Sequence, residues 1–196
     1  MSSTNLDSYV QALIPNSYKV MGIKLRPFSL GSYFLMRRFN CAFSNENIET
    51  NGNIQDLLLA VSICSRTYNQ FLDWISDPEQ FQSWSKEWGD KIKLALENDQ
   101  INILIEVNKF KIYMKDSVQV PKIWNNNEDG ESKTSGAHWS HNIYIKLISK
   151  IGYIPEQALD MPLSQASFDY YKHLEDEGSI TFMTDFEIDQ IKGEVK

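Results

Sequence analysis

Cysteine is nearly missing: Cys41 and Cys64 are the only two in 196 residues. Both stand in apolar company, so the sequence predicts buried, reduced thiols and argues against a disulfide framework or a cysteine-built metal site. Histidine is equally sparse, with His138, His141 and His173 alone. No apolar run approaches the ~18 residues of a membrane span, and the opening Met1–Asp7 lacks the basic start and apolar run of a signal peptide. A cytoplasmic location is therefore expected. There is no internal repeat, no Gly-x-Ser-x-Gly elbow, no HExxH pattern and no phosphate-cradling glycine loop. Basic clusters are missing too, beyond the pair Arg37 and Arg38, which is too short to suggest nucleic acid.

Apolar material is plentiful. Hydrophobic residues make up 42% and aromatics 12% of the chain, enough for one sizeable core or for a core domain with a smaller one appended. The net charge of -7 is unevenly placed: residues 151–196 hold ten acidic side chains against three basic, whereas residues 1–150 are balanced. An acidic C-terminal third repels phosphate backbones, which disfavours a nucleic-acid partner.

Periodicity predicts mostly helices. Tyr18 to Phe28 alternates like a strand, with Met21, Ile23 and Leu25 on one face, and Pro27 ends it. Ser29 sits where an N-cap belongs, with Phe28 and Tyr33 at the positions of a hydrophobic staple, so a helix from Leu30 to about Phe39 follows. Residues 44–53 have loop chemistry. Ile54 to Ile75 reads as one core helix. Asp77 and Pro78 restart the chain into a helix that runs through Gly89, with Phe81, Trp84, Trp88, Ile92 and Leu96 forming an aromatic-rich stripe best read as core. Ile101 to Lys115 is apolar on two faces, Ile101, Leu104, Ile105 and Ile112 on one and Ile103, Val107, Phe110 and Met114 on the other, which predicts burial between neighbours. Residues 118–137 turn polar and read as a flexible linker.

Beyond it, Trp139, Ile143, Leu147 and Ile151 define a helix that stops near Gly152. Ile154 to Leu159 forms a short second helix. Ser164 is placed to cap a third, which Gly178 closes, and Thr184 with Glu187 has the spacing of a capping box for the last.

Three motifs are weighed against simpler explanations. Asn125-x-Asn127-x-Asp129-Gly130 opens like a calcium loop, but Asn stands at the first ligand position and Gly136 where a bidentate Glu is required. His138 and His141 lie three apart at a helix start, yet two ligands do not close a zinc site, so surface or capping roles are expected. The carboxylates at Glu175–Glu177 and at Asp185, Glu187 and Asp189 fall at polar helix ends and are expected to be ionised rather than catalytic. No cofactor, metal or catalytic residue is assigned.

Three patches of the chain resemble the tail assembly chaperones of tailed bacteriophages. They are Leu25-Arg26-Pro27-Phe28-Ser29-Leu30-Gly31 with Phe39-Asn40-Cys41-Ala42-Phe43, then Asp56 to Arg66, and Gly152 to Leu163 with its Pro155-Glu156 turn. The polar linker and the tail after Gly178 depart from the family pattern. The resemblance implies a non-enzymatic protein of the infected host's cytoplasm that coats the tape measure protein and recruits tail tube subunits. A structural virion component such as a head-tail connector subunit is the alternative.

The expected fold is thus mainly α: a helical core over 1–117 with an N-terminal β element, a linker over 118–137 and a small acidic helical module over 138–196. Trp139, Tyr153, Met161, Phe168, Tyr170 and Tyr171 are the candidate partner-binding residues, since aromatics and Met anchor interfaces. Neither nucleic acid nor membrane is expected as a partner, and nothing in the sequence opposes a homo-oligomer.

Overall fold

The structure is a computed structural model that describes residues 9–10, 13, 16–44, 53–97, 102–126 and 137–194. It is mainly α, with nine helices among those residues and two short two-stranded antiparallel sheets. The chain divides into two compact units: a middle unit, residues 17–116, and a C-terminal unit, residues 117–196 together with 1–16.

The middle unit opens with a hairpin rather than the single strand its alternation suggests. β1 (Lys19–Val20) pairs with β2 (Ile23–Lys24), Val20 opposite Ile23. Met21 and Gly22 turn the chain at φ 52° and 76°; positive φ at both central residues is the geometry of a tight hairpin turn, and glycine adopts it without steric cost. Met21 donates its N–H to Glu106 Oε2 at 2.5 Å. Ser29 then caps α1 (Leu30–Arg38), as its position predicts, by accepting from Ser32 N–H at 3.1 Å. A 3-10 turn at Ala42–Ser44 follows, and the rest of the expected loop, residues 45–52, lies outside the described residues.

The long helix expected from Ile54 to Ile75 is two. α2 (Ile54–Cys64) ends at Ser65, and α3 (Tyr68–Ser76) restarts behind Thr67, whose hydroxyl accepts from Gln70 N–H while Gln70 Oε1 accepts from Thr67 N–H. That reciprocal capping box satisfies two orphan amides at a break that apolar periodicity runs straight across. Asp77 starts α4 (Pro78–Glu97) by accepting from both Glu79 and Gln80 N–H groups at 3.1 Å. Among the described residues its stripe is core only at Ile92, which is buried. Phe81 is exposed, Trp84 and Trp88 are half-buried, and they ladder onto Trp74 of α3, with ring centroids 5.0 Å apart for Trp74 and Trp84. Arg66 lies over the other end of this ladder, 4.4 Å from the Trp74 ring centroid.

α5 (Ile103–Ser117) supplies the centre of the core. Phe110 is fully buried, edge-on to Phe43 at 4.8 Å, and Tyr113 reaches past Phe28 to donate its hydroxyl to the Arg26 carbonyl at 2.9 Å. Only one of the two apolar faces of α5 is covered. Leu104, Ile105 and Ile112 are 73%, 52% and 54% exposed, contrary to the burial expected on both sides. Cys41 and Cys64 are buried free thiols, and loss of hydration pushes their pKa values up to about 11 and about 12, so both stay protonated and unreactive.

The C-terminal unit begins with an extended strap. Residues 118–126, read from sequence as part of the flexible linker, are pinned: Gln119 N–H donates to Ser164 Oγ at 2.9 Å, Pro121 is buried, and β3 (Ile123–Asn125) pairs with β4 (Ile180–Phe182). Residues 127–136, which hold the remainder of the linker and most of the calcium-like loop, lie outside the described residues. α6 (Trp139–Lys146) is capped by His138, whose Nδ1 accepts from Ser140 N–H at 3.4 Å. It widens into a π turn at Leu147–Ile151 that Gly152 closes at φ 93°, the left-handed cap expected of glycine.

α7 (Pro155–Asp160) leads into α8 (Leu163–Asp176). Ser164 does not cap α8: Pro162 holds that position, and the Ser164 hydroxyl is taken up by the strap, donating to Ser117 C=O at 2.6 Å. Gly178 ends α8 in a Schellman turn, with Ser179 N–H on Leu174 C=O. The predicted capping box opens α9 (Asp185–Glu194), Thr184 N–H donating to Glu187 Oε2 at 2.8 Å.

Candidate partner-binding groove

Strap, α6 and α8 enclose an apolar groove of about 260 Å³ in the C-terminal unit. Val118 and Val120 form one wall, Trp139, Asn142 and Ile143 the second, and Ser167, Tyr170 and Tyr171 the third. Local chemistry explains each wall. The two valines project the same way because an extended segment alternates its side chains. Trp139 and Ile143 are four apart on α6, and Ser167, Tyr170 and Tyr171 fall three and four apart on α8, so each set shares one helix face.

The rim is partly open, with Val120 53% and Trp139 39% exposed. Tyr170 and Tyr171 pack edge to face at 5.3 Å. Burial, then the neighbouring Tyr171 and Glu177, raise the pKa of Tyr170, so its phenol remains neutral and can donate a hydrogen bond. Lys146 and Glu177 pair at 3.5 Å between α6 and α8.

Of the six residues chosen from sequence, three come together here: Trp139, Tyr170 and Tyr171. Tyr153 does not line the groove; its hydroxyl donates to Asp169 Oδ2 at 3.0 Å. Met161 and Phe168 are buried, Phe168 packing edge-on against Tyr9 and Phe182, so both serve the unit's own core. Aromatic type alone cannot separate a surface anchor from a core residue. Val118 and Val120 were hidden by the polar composition around them, although their spacing of two was a legible strand signal.

A volume near 260 Å³ falls below the ~300–1,000 Å³ of common small-molecule sites and suits one or two apolar side chains from a protein partner. A second, more open hollow of about 430 Å³ lies between Lys122, Ile123, Met183, Ile188 and Ile191. Among the described residues no group of three or more His, Cys, Asp or Glu side chains is placed to hold a metal ion, and no helix is long and apolar enough to cross a membrane. His173 Nε2 lies 3.2 Å from Glu177 Oε1 but off the line that a hydrogen bond needs.

Comparison of the chain with protein-family models, with curated proteins and with solved structures gives no match.

Proposed function

We propose that this chain is a non-catalytic tail assembly chaperone of the tailed-bacteriophage type, which holds apolar helical segments of a tape measure protein and helps recruit tail tube subunits in the host cytoplasm. The observation that carries the reading is the groove of Val118, Val120, Trp139, Tyr170 and Tyr171: apolar, open at its rim and sized for side chains rather than for a metabolite. Sequence supports it independently through the three patches that resemble the family. A chaperone of this kind must hold a helix without consuming it, and a shallow aromatic groove does so with an affinity that assembly can reverse.

The test is co-expression with the tape measure protein of the same phage genome. The proposal expects that protein to become soluble and to co-elute with this chain on a sizing column, and Trp139→Ala with Tyr171→Ala to weaken co-elution while the melting temperature of the free chain holds. Failure to solubilise or to co-elute overturns it. So does recovery of the chain from purified particles at ring stoichiometry, which would establish a structural connector subunit instead.

A further inference from the structure

The exposed face of α5 is a separate surface in the other unit. At about 100° per residue, Leu104, Ile105, Asn108 and Ile112 fall within roughly 100° of arc. They form a stripe about 12 Å long at 1.5 Å per residue, exposed along its whole length. The opposite side of the same helix is anchored by Val107, Phe110, Tyr113 and Met114 in the core, so the stripe is a rigid platform rather than a fraying segment. Its borders are unequal. Lys111 lies on one flank and Lys115 at the C-terminal end, while the other flank carries Lys109 together with Asp116. Glu106 pairs with Lys109 at 2.6 Å, while Lys111 and Lys115 have no ion pair among the described residues.

We infer that this stripe docks an amphipathic helix of a partner protein whose apolar seam is bordered by Asp and Glu. Apolar positions three and four apart take a partner's helix lengthwise, and charges beside such a seam select the partner and fix its orientation. Charge decides among the occupants. A second copy of this chain would bring Lys111 and Lys115 of each copy against one another, at an energetic cost. An anionic membrane would satisfy the lysines, but a stripe of three aliphatic residues interrupted by Asn108 lacks the large apolar face that buries a helix in a bilayer surface. The inference does not rest on the chaperone reading, since the groove that carries that reading belongs to the other unit.

The experiment uses the full chain and two fluorescein-labelled helical peptides, identical in a leucine seam and differing only in Glu or Lys beside it, with affinity read by anisotropy. The Glu-bordered peptide should bind roughly tenfold tighter at low salt, the increment expected from a few exposed ion pairs, and lose that advantage in high salt. Lys111→Glu with Lys115→Glu should reverse the preference, and Ile112→Asp should weaken both peptides. Because the peptide pair is compared on the unaltered chain, the result does not depend on any variant folding. Equal binding of the two peptides overturns the inference. So would a dimer in sedimentation that Ile112→Asp dissolves, or stripe-dependent binding to phosphatidylserine vesicles.

Discussion

The two units are stabilised by different means. The middle unit holds 12 basic and 12 acidic residues and the C-terminal unit 7 and 14, so the whole net charge of -7 belongs to the second. Interlocked rings around Phe110 fill the first. The second has an apolar core of its own around Leu147, Leu163 and Phe168, but its strap and β4 are tied through single polar atoms: the Ser164 hydroxyl holds the strap, Glu175 holds β4 through Phe182 N–H, and Asn126 donates its side-chain amide to Thr181 Oγ1. The contrast teaches that an apolar core tolerates a bare helix face beside it, while a strap with little core of its own needs each hydrogen bond.

Substitutions in both units probe that contrast, and the largest effect belongs to the middle unit. Phe110→Ala should cost about 3–5 kcal/mol in chemical denaturation, from lost burial plus the cavity left behind. Leu104→Ala on the same helix should cost less than about 0.5 kcal/mol. If the two cost the same, the bare face of α5 is covered and the contrast fails.

Ser164→Ala should cost about 1–3 kcal/mol, because it leaves Ser117 C=O and Gln119 N–H without their partner. Amide exchange at Gln119 should quicken while exchange in the middle unit is unchanged; uniform quickening would mean that the strap is not held locally. Thr67→Ala removes the cap between α2 and α3 and should cost about 1 kcal/mol, with Thr67→Ser close to the original chain. Equal losses in the two variants would show that the hydroxyl is not what restarts the helix.

The smallest effect is on pH dependence. The backbone N–H of Phe182 first, and then Lys172 at 2.9 Å, hold the pKa of Glu175 below the ordinary glutamate value. Its stabilisation is fully present above the unfolded value of about 4.3 and is lost as pH falls through the lowered folded one. Asp169 runs the other way. Burial raises its pKa, so its contribution recovers as pH drops through that raised value. Glu175→Gln should therefore flatten the acid limb of a melting-temperature profile and Asp169→Asn steepen it; two profiles superimposable on the original would show that neither carboxylate is coupled to folding.

Local signals written in side-chain chemistry were legible in the sequence. Ser29, Asp77 with Pro78, Gly152, Gly178 and Thr184 with Glu187 all begin or end helices where their types predict. Signals that compete with periodicity were lost. Thr67 and Gln70 break a continuous apolar stripe, Met21 and Gly22 fold an alternating run back on itself, and Ser164 has the chemistry of a cap but binds the strap instead. Burial was the least legible. Two apolar faces on α5 and an aromatic stripe on α4 look the same in sequence whether covered or bare, since covering depends on neighbours far along the chain. For the same reason the groove was half visible: Trp139, Tyr170 and Tyr171 stood out by type, while the valines completing it did not.

The most direct test of the proposed role is amide hydrogen exchange on the full chain with and without tape measure protein. Binding through the groove predicts added protection over the backbone of residues 118–124, 139–146 and 167–174. Absence of added protection in those three segments, in a complex that has formed, would contradict it.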